Sequence, residues 1–261
     1  MEIREVSRRR WTAEETLSRR RGVAYPPLLL GTSAITRVLA DIAELEPVSL
    51  LGLPDAAILH HNAVHILVAK LAQSGIISKL TRSGVFNTGA RTTLVMNRQH
   101  PAFAELRALG LSISSCSLQP ANHHEPDVSG MLPFPITAVI DLRSLFGTPR
   151  RTLAIVLAHL RPGIRIVTIS RCIGTTPAVP AKVLKPLVRD GVLRSDPSPS
   201  HRGRASKGCY RLVSVRQSSW SPAFEALLDR LVALDPHFHS KALTADALES
   251  HGARMIGRHQ R

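Results

Sequence analysis

Apolar residues recur along the chain at two spacings. Ile35, Val38, Leu39, Ile42 and Leu45 fall on one face of a helix that opens after Gly31-Thr32, the spacing of an amphipathic helix. Leu153, Val156, Leu157 and Leu160 do the same after Gly147-Thr148. Pro47 and Pro162-Gly163 end these helices, because proline cannot continue the ladder. Short apolar segments follow at 48–53 and 164–173. Longer helices come next. One has the inward stripe Val64, Leu67, Val68 and Leu71; the other has Val183, Leu184 and Leu187, with Pro180 aligned to Val64. Gly75 and Gly191 supply the left-handed stop. The apolar pairs Ile76-Ile77 and Val192-Leu193 then lead into polar, Gly-bearing stretches at 78–91 and 194–207. β-like runs close them at 92–96 and 209–213. Each is a predicted hairpin with a long tip. A last helix opens at Pro101-Ala102-Phe103 or Pro222-Ala223-Phe224.

The two series are one pattern met twice. Gly31-Thr32 and Gly147-Thr148 lie 116 residues apart, and Ser74-Gly75-Ile76-Ile77 falls on Asp190-Gly191-Val192-Leu193 at the same offset. Pattern is repeated rather than letters. The predicted class is mainly α with small β-hairpins (α+β). The expected units are a basic arm at 1–22, a first domain at 23–111, a Pro/Ser-rich linker at 112–140, a second domain at 141–236 and a tail at 237–261. A short strand is expected at Val139-Ile140, and an amphipathic helix in the tail, which carries Leu243, Leu248, Met255 and Ile256.

Composition narrows the function. The 261 residues are 44% hydrophobic, enough for packed cores. Aromatics are only 4%, which argues against a base-stacking platform for single strands. No apolar run approaches the length of a membrane span, and no apolar stretch follows the first charges as in a secretory signal. The expected location is cytoplasmic and nucleoid-associated, with no membrane partner. Cys116, Cys172 and Cys209 are scattered singly, which predicts neither a disulfide framework nor a cysteine-based zinc site. Lys and Arg total 34 against 19 acidic residues, a net charge of +15. Residues 144–234 hold 15 basic and 4 acidic side chains. So concentrated a field favours a polyanion, and nucleic acid is the commonest.

The order helix, helix, helix, hairpin, helix resembles bacterial winged helix-turn-helix transcriptional regulators of the ArsR/MarR type, here in tandem. The resembling segments are Leu145-Phe146-Gly147-Thr148-Pro149-Arg150-Arg151, Lys182-Val183-Leu184 through Leu187 to Leu193, Leu67-Val68-Ala69-Lys70-Leu71 through Ser74-Gly75-Ile76-Ile77, and Asn97-Arg98-Gln99-His100-Pro101-Ala102-Phe103. The resemblance covers residues 28–110 and 141–234. It implies double-stranded DNA as partner, with the third helix in the major groove and the wing on the backbone or minor groove. Such proteins are commonly dimers, so a homodimer stays open.

That context selects candidate DNA-binding residues. In the second half they are Thr175, Thr176, Lys182 and Lys185 at the helix, with Thr176 as N-cap and Pro177 at N1. Its wing offers Arg194, Arg202, Arg204 and Lys207. In the first half they are His61, Asn62 and His65, with Lys79, Arg82 and Arg91 on the wing. Asn62 has the bidentate geometry for adenine. Arg8-Arg9-Arg10 and Arg19-Arg20-Arg21 make a basic arm suited to phosphates or a minor groove. Pro186 inside the second recognition helix predicts a kink there, at a cost of ~3 kcal/mol. His61 and His65 share a helical face, and His123-His124-Glu125-Pro126-Asp127 has metal-ligand types, yet neither set is completed, so no metal and no cofactor is expected. No P-loop, dinucleotide turn, nucleophile elbow or acid cluster is found, and an enzyme is not expected. A sequence-specific transcriptional regulator with two non-identical winged helices leads. A plasmid replication, partition or other DNA-maintenance factor and a protein-interaction adaptor are the alternatives.

Overall fold

The computed structural model describes residues 29–53, 59–82, 92–114, 131–133, 140–189, 192–196, 209–212 and 220–258. Helices α1 (Ser33–Leu45), α2 (His61–Gln73) and α3 (Phe103–Ser114) surround strands β1 (Val48–Ser49), β2 (Ile77–Arg82) and β3 (Thr93–Met96). Strand β4 (Met131–Pro133) follows. Then come a 3₁₀ turn at Leu142–Ser144, α4 (Pro149–Leu160), β5 (Ile164–Arg165), α5 (Ile166–Ile173), α6 (Ala178–Arg189), β6 (Leu193–Asp196), β7 (Cys209–Leu212), α7 (Ser221–Leu234) and α8 (Pro236–Arg258). The molecule is mainly helical, with small antiparallel sheets ordered β1-β3-β2-β4 and β5-β7-β6.

The offset of 116 holds down to single strand pairs. Val48 pairs with Leu94 and Ile77 with Met96; Ile164 pairs with Tyr210 and Leu193 with Leu212. The helix ends agree as well. The Ile76 amide donates to the Leu71 carbonyl, and the Val192 amide to the Leu187 carbonyl. Gly75 has φ +71°, the left-handed stop its position predicted.

Each repeat opens on the same hydrogen-bonded device. Thr32 caps α1 by accepting from the Ile35 amide, and Thr148 caps α4 by accepting from Arg151. Four residues on, the buried Thr36 hydroxyl donates to the Thr32 carbonyl and accepts the Leu30 amide at 3.2 Å. Thr152 does the same with Thr148 and Phe146, also at 3.2 Å. One amide ahead of each helix and one in its first turn are thus satisfied by side chains.

One continuous apolar core runs through both repeats, from Leu29 and Leu39 to Leu157, Phe224 and Phe238. The repeats meet at matching positions. A Cβ placed on Gly147 would lie 3.2 Å from the Gly31 Cα, and one placed on Gly31 would lie 3.5 Å from the Gly147 Cα. Both glycines have left-handed φ, +98° and +101°. Helix α3 packs on α7, its counterpart. Equivalent positions therefore meet each other twice, glycine on glycine and helix on helix. Arg230 on α7 donates to the Pro101 carbonyl at 3.0 Å across this contact.

Three expectations are corrected. The Pro-rich connection is not wholly irregular, since Met131–Pro133 pairs with Leu80, Thr81 and Arg82 along the outer edge of β2. Ile140 is outside any strand, and Val139 lies outside the described residues. Pro186 lies inside α6, which spans Ala178–Arg189; the bond it forfeits is the one to the Lys182 carbonyl four residues back, on an exposed residue, where water can replace the missing donor. The last helices do not align on Pro-Ala-Phe. Their buried residues, Leu106, Leu109, Gly110 and Ile113 against Phe224, Leu227, Leu228 and Leu231, match at an offset of 118.

Candidate nucleic-acid interface

The two longer helices turn equivalent faces outward because they bury equivalent residues. Val64, Val68 and Leu71 are buried on α2, and Pro180, Leu184 and Leu187 on α6, each 116 positions apart. The opposite face of α2 carries His61, Asn62, His65, Ile66 and Lys70, all exposed. That of α6 carries Ala178, Lys182, Lys185 and Arg189, also exposed. Helix α2 starts at His60, whose side chain makes no cap bond. Helix α6 begins at Ala178, one residue past the expected start, with the Pro177 carbonyl accepting from Ala181 and the Thr176 carbonyl from Val179; Thr176 itself is exposed.

Thr175 is the exception among the helix candidates. It follows the left-handed Gly174 that ends α5, and its amide donates to the Ser170 carbonyl at 2.9 Å. Its hydroxyl is buried without a partner. Closure of the preceding helix turns this side chain inward, so it is not an outward base reader.

Of the two expected wings, the described residues include only the strands at their bases. Lys79 is half-buried opposite Leu94, and Arg194 is exposed opposite Arg211. Arg82 ends β2 opposite Met131. Arg91, Arg202, Arg204 and Lys207 lie outside the described residues, as do the basic arm and the His123–Asp127 segment. Among the described residues no three metal-capable side chains come together. No described helix is long and apolar enough to cross a membrane.

The field of the second repeat is sorted by α8. This helix covers α4 and α5 and carries carboxylates to their arginines. Asp246 pairs with Arg161. Glu249 takes Arg165 Nε at 2.6 Å and the Thr168 hydroxyl. Just ahead of α8, Asp235 holds Arg143 through two bonds, at 2.6 and 3.2 Å; the guanidinium keeps this carboxyl below its ordinary pKa. Three arginines at the α7–α8 side are thereby spoken for, while Lys182 and Lys185 stay exposed on α6.

Two residues that sequence reasoning passed over belong to the outward face of α2. Ile66 is 58% exposed, and Lys70 lies one turn further on. The signal was present: neither belongs to the stripe of Val64, Leu67, Val68 and Leu71.

Buried polar groups below this face fix the turn between β3 and α3. The Asn97 side chain donates to the Gly75 carbonyl at 2.7 Å, and His100 Nδ1 accepts the Ala102 amide at 3.1 Å. Burial holds the His100 pKa down at about 4, so the ring is neutral and can accept. Asp41, buried beside Arg37 at 3.1 Å, has its pKa raised to about 6, with burial outweighing the arginine.

No protein-family model matches this chain, and neither a curated protein nor a solved structure does. The site therefore rests on its own geometry.

Proposed function

We propose that the chain binds double-stranded DNA as a transcriptional regulator, through two winged helix-turn-helix repeats that play the parts of two dimer subunits. One observation carries the proposal. Helices α2 and α6 present matching outward faces from repeats related about the Gly31–Gly147 contact. Paired recognition helices about a two-fold axis are how dimeric helix-turn-helix proteins meet two half-sites. The second repeat's order of helix, strand, helix, helix, strand, strand supports it, as does the sheet order β5-β7-β6. In this reading residues 23–111 and 141–236 are the two DNA-binding units, the outward faces of α2 and α6 enter successive major grooves, and the wings follow the backbone. The exposed cations of α6 and the basic wing sequence supply the sequence-independent attraction.

The test is a selection of the full chain against random duplex DNA, followed by titration of the selected site across salt. Two unlike half-sites one helical turn apart are expected, with affinity falling steeply as salt rises. Substituting both Lys182 and Lys185 by alanine lowers the magnitude of the log–log salt slope by about one for each phosphate that is no longer neutralised. Salt-sensitive binding without a motif favours a DNA-maintenance role. Absence of binding at low salt overturns the proposal.

A further inference from the structure

We infer that the two repeats read chemically different half-sites: an A·T pair through Asn62 and Ile66, and a guanine through Lys182. This rests on the DNA-binding proposal above and adds to it the class of base each helix accepts. The argument compares equivalent positions. Because the buried faces of α2 and α6 coincide at an offset of 116, each outward residue has a defined counterpart. Ile66 corresponds to Lys182, and both are exposed. Exposed Asn62 corresponds to exposed Ala178, and half-buried Ala69 to exposed Lys185. One helix thus offers an amide and an apolar side chain where the other offers a methyl and an ammonium.

Base edges in the major groove distinguish these chemistries. A carboxamide pairs with adenine through N6 and N7. An aliphatic side chain rests on the thymine methyl. A lysine donates to guanine O6 and N7. Asn62 and Ile66 are four residues apart, stacked on one helix face, so they reach neighbouring positions of one groove. At 58%, Ile66 is the most exposed large hydrophobic side chain among the described residues, whereas the inward stripe of the same helix is closed. At its counterpart Lys182 a charged donor stands on the same ridge. A homodimer could not make this distinction, since both of its helices are the same.

The experiment uses the full chain and the duplex obtained by selection. The half-site whose preference Asn62→Ala erases is assigned to the first repeat; this variant is expected to weaken binding about 5- to 150-fold, the range for one bidentate contact. Replacing thymine there by uracil removes one methyl. The natural chain is expected to lose about fourfold, a single methyl's transfer free energy, and Ile66→Ala is expected to lose nothing further on that substitution. In the other half-site, 7-deazaguanine is expected to weaken the natural chain and leave Lys182→Ala unchanged. All three positions are exposed, and circular dichroism of each variant is expected to match the parent. A motif with identical halves overturns the inference while leaving DNA binding intact. So does a methyl effect that persists in Ile66→Ala. Failure to bind any duplex at low salt removes the DNA-binding proposal and this inference with it.

Discussion

Adding one methyl at the contact between the repeats should be far costlier than adding it elsewhere. Gly147→Ala meets two penalties. Its φ of +101° lies where an L side chain is strained, a cost of about 1–3 kcal/mol. Its new Cβ would also stand 3.2 Å from the Gly31 Cα, and backbone on the far side can yield only by separating the repeats, adding about 1–3 kcal/mol. Gly163→Ala is the control. It has a left-handed φ of +87°, but a Cβ there meets nothing within 4 Å, so it carries strain alone. The assay is urea unfolding followed by circular dichroism. Gly147→Ala should cost about 2–6 kcal/mol, and exceed Gly163→Ala by at least 1 kcal/mol. Gly31→Ala, whose nearest neighbour at 3.5 Å is at ordinary contact distance, should cost about as much as Gly163→Ala. The double variant sets two methyls against one another and should be non-additive by about 0.5–3 kcal/mol. Equal costs at Gly147 and Gly163, or additivity of the pair, would refute a tight contact between the repeats.

Other outcomes follow from the same structure. Thr36→Val and Thr152→Val each strand a buried amide, at Leu30 or Phe146, and should destabilise by about 1–3 kcal/mol, with similar values at the two positions in chemical unfolding. Gly110→Ala would set a Cβ 2.5 Å from that of Ala43 and 3.3 Å from the Leu39 carbonyl; overpacking α1 against α3 should cost about 1–3 kcal/mol and lower the thermal midpoint. His100 has a folded pKa of about 4 against an ordinary value of 6.5, so the unfolded chain binds the extra proton between those values. Its share of stability is complete above pH 6.5 and is lost as pH falls toward 4. Asp41 acts in the opposite sense, its share being complete below pH 3.8 and lost as pH rises through about 6. His100→Asn, which keeps an acceptor for Ala102 but does not titrate, should flatten the acid-side loss; an unchanged pH profile of the melting midpoint would exclude His100 as its source.

The repeat was legible because turns and stops announce themselves locally. Gly31-Thr32 and Gly147-Thr148 need a positive φ and a helix cap, and few residue types supply either. The pairs of strands and the inward stripes followed from that alignment. What escaped involves partners distant in sequence. Nothing in Met131–Pro133 says that it joins the edge of β2, because three residues carry no period and Pro133 argues against a strand. The inward turn of Thr175 depends on how α5 ends rather than on its own neighbours. Counting charge by segment hid one effect: Asp246 and Glu249 belong to the tail by sequence, yet they pair with Arg161 and Arg165 of the basic stretch. The outward residues of α2 were all readable from periodicity, Ile66 and Lys70 included; Ile66 was passed over because a search for polar contacts overlooks an apolar side chain.

For the proposed DNA-binding function, joining both repeats in one chain also changes how a target fills. Two free protomers must first find each other, so the occupied fraction of a site at low abundance rises with the square of protomer concentration. Here the second helix is always present beside the first, held through α3, α7 and the Gly31–Gly147 contact. Occupancy then rises in simple proportion to the number of chains, and dilution cannot split the reader into halves. Each substitution also enters only once. One face can drift while its counterpart stays fixed, and α8 can brace the second repeat alone.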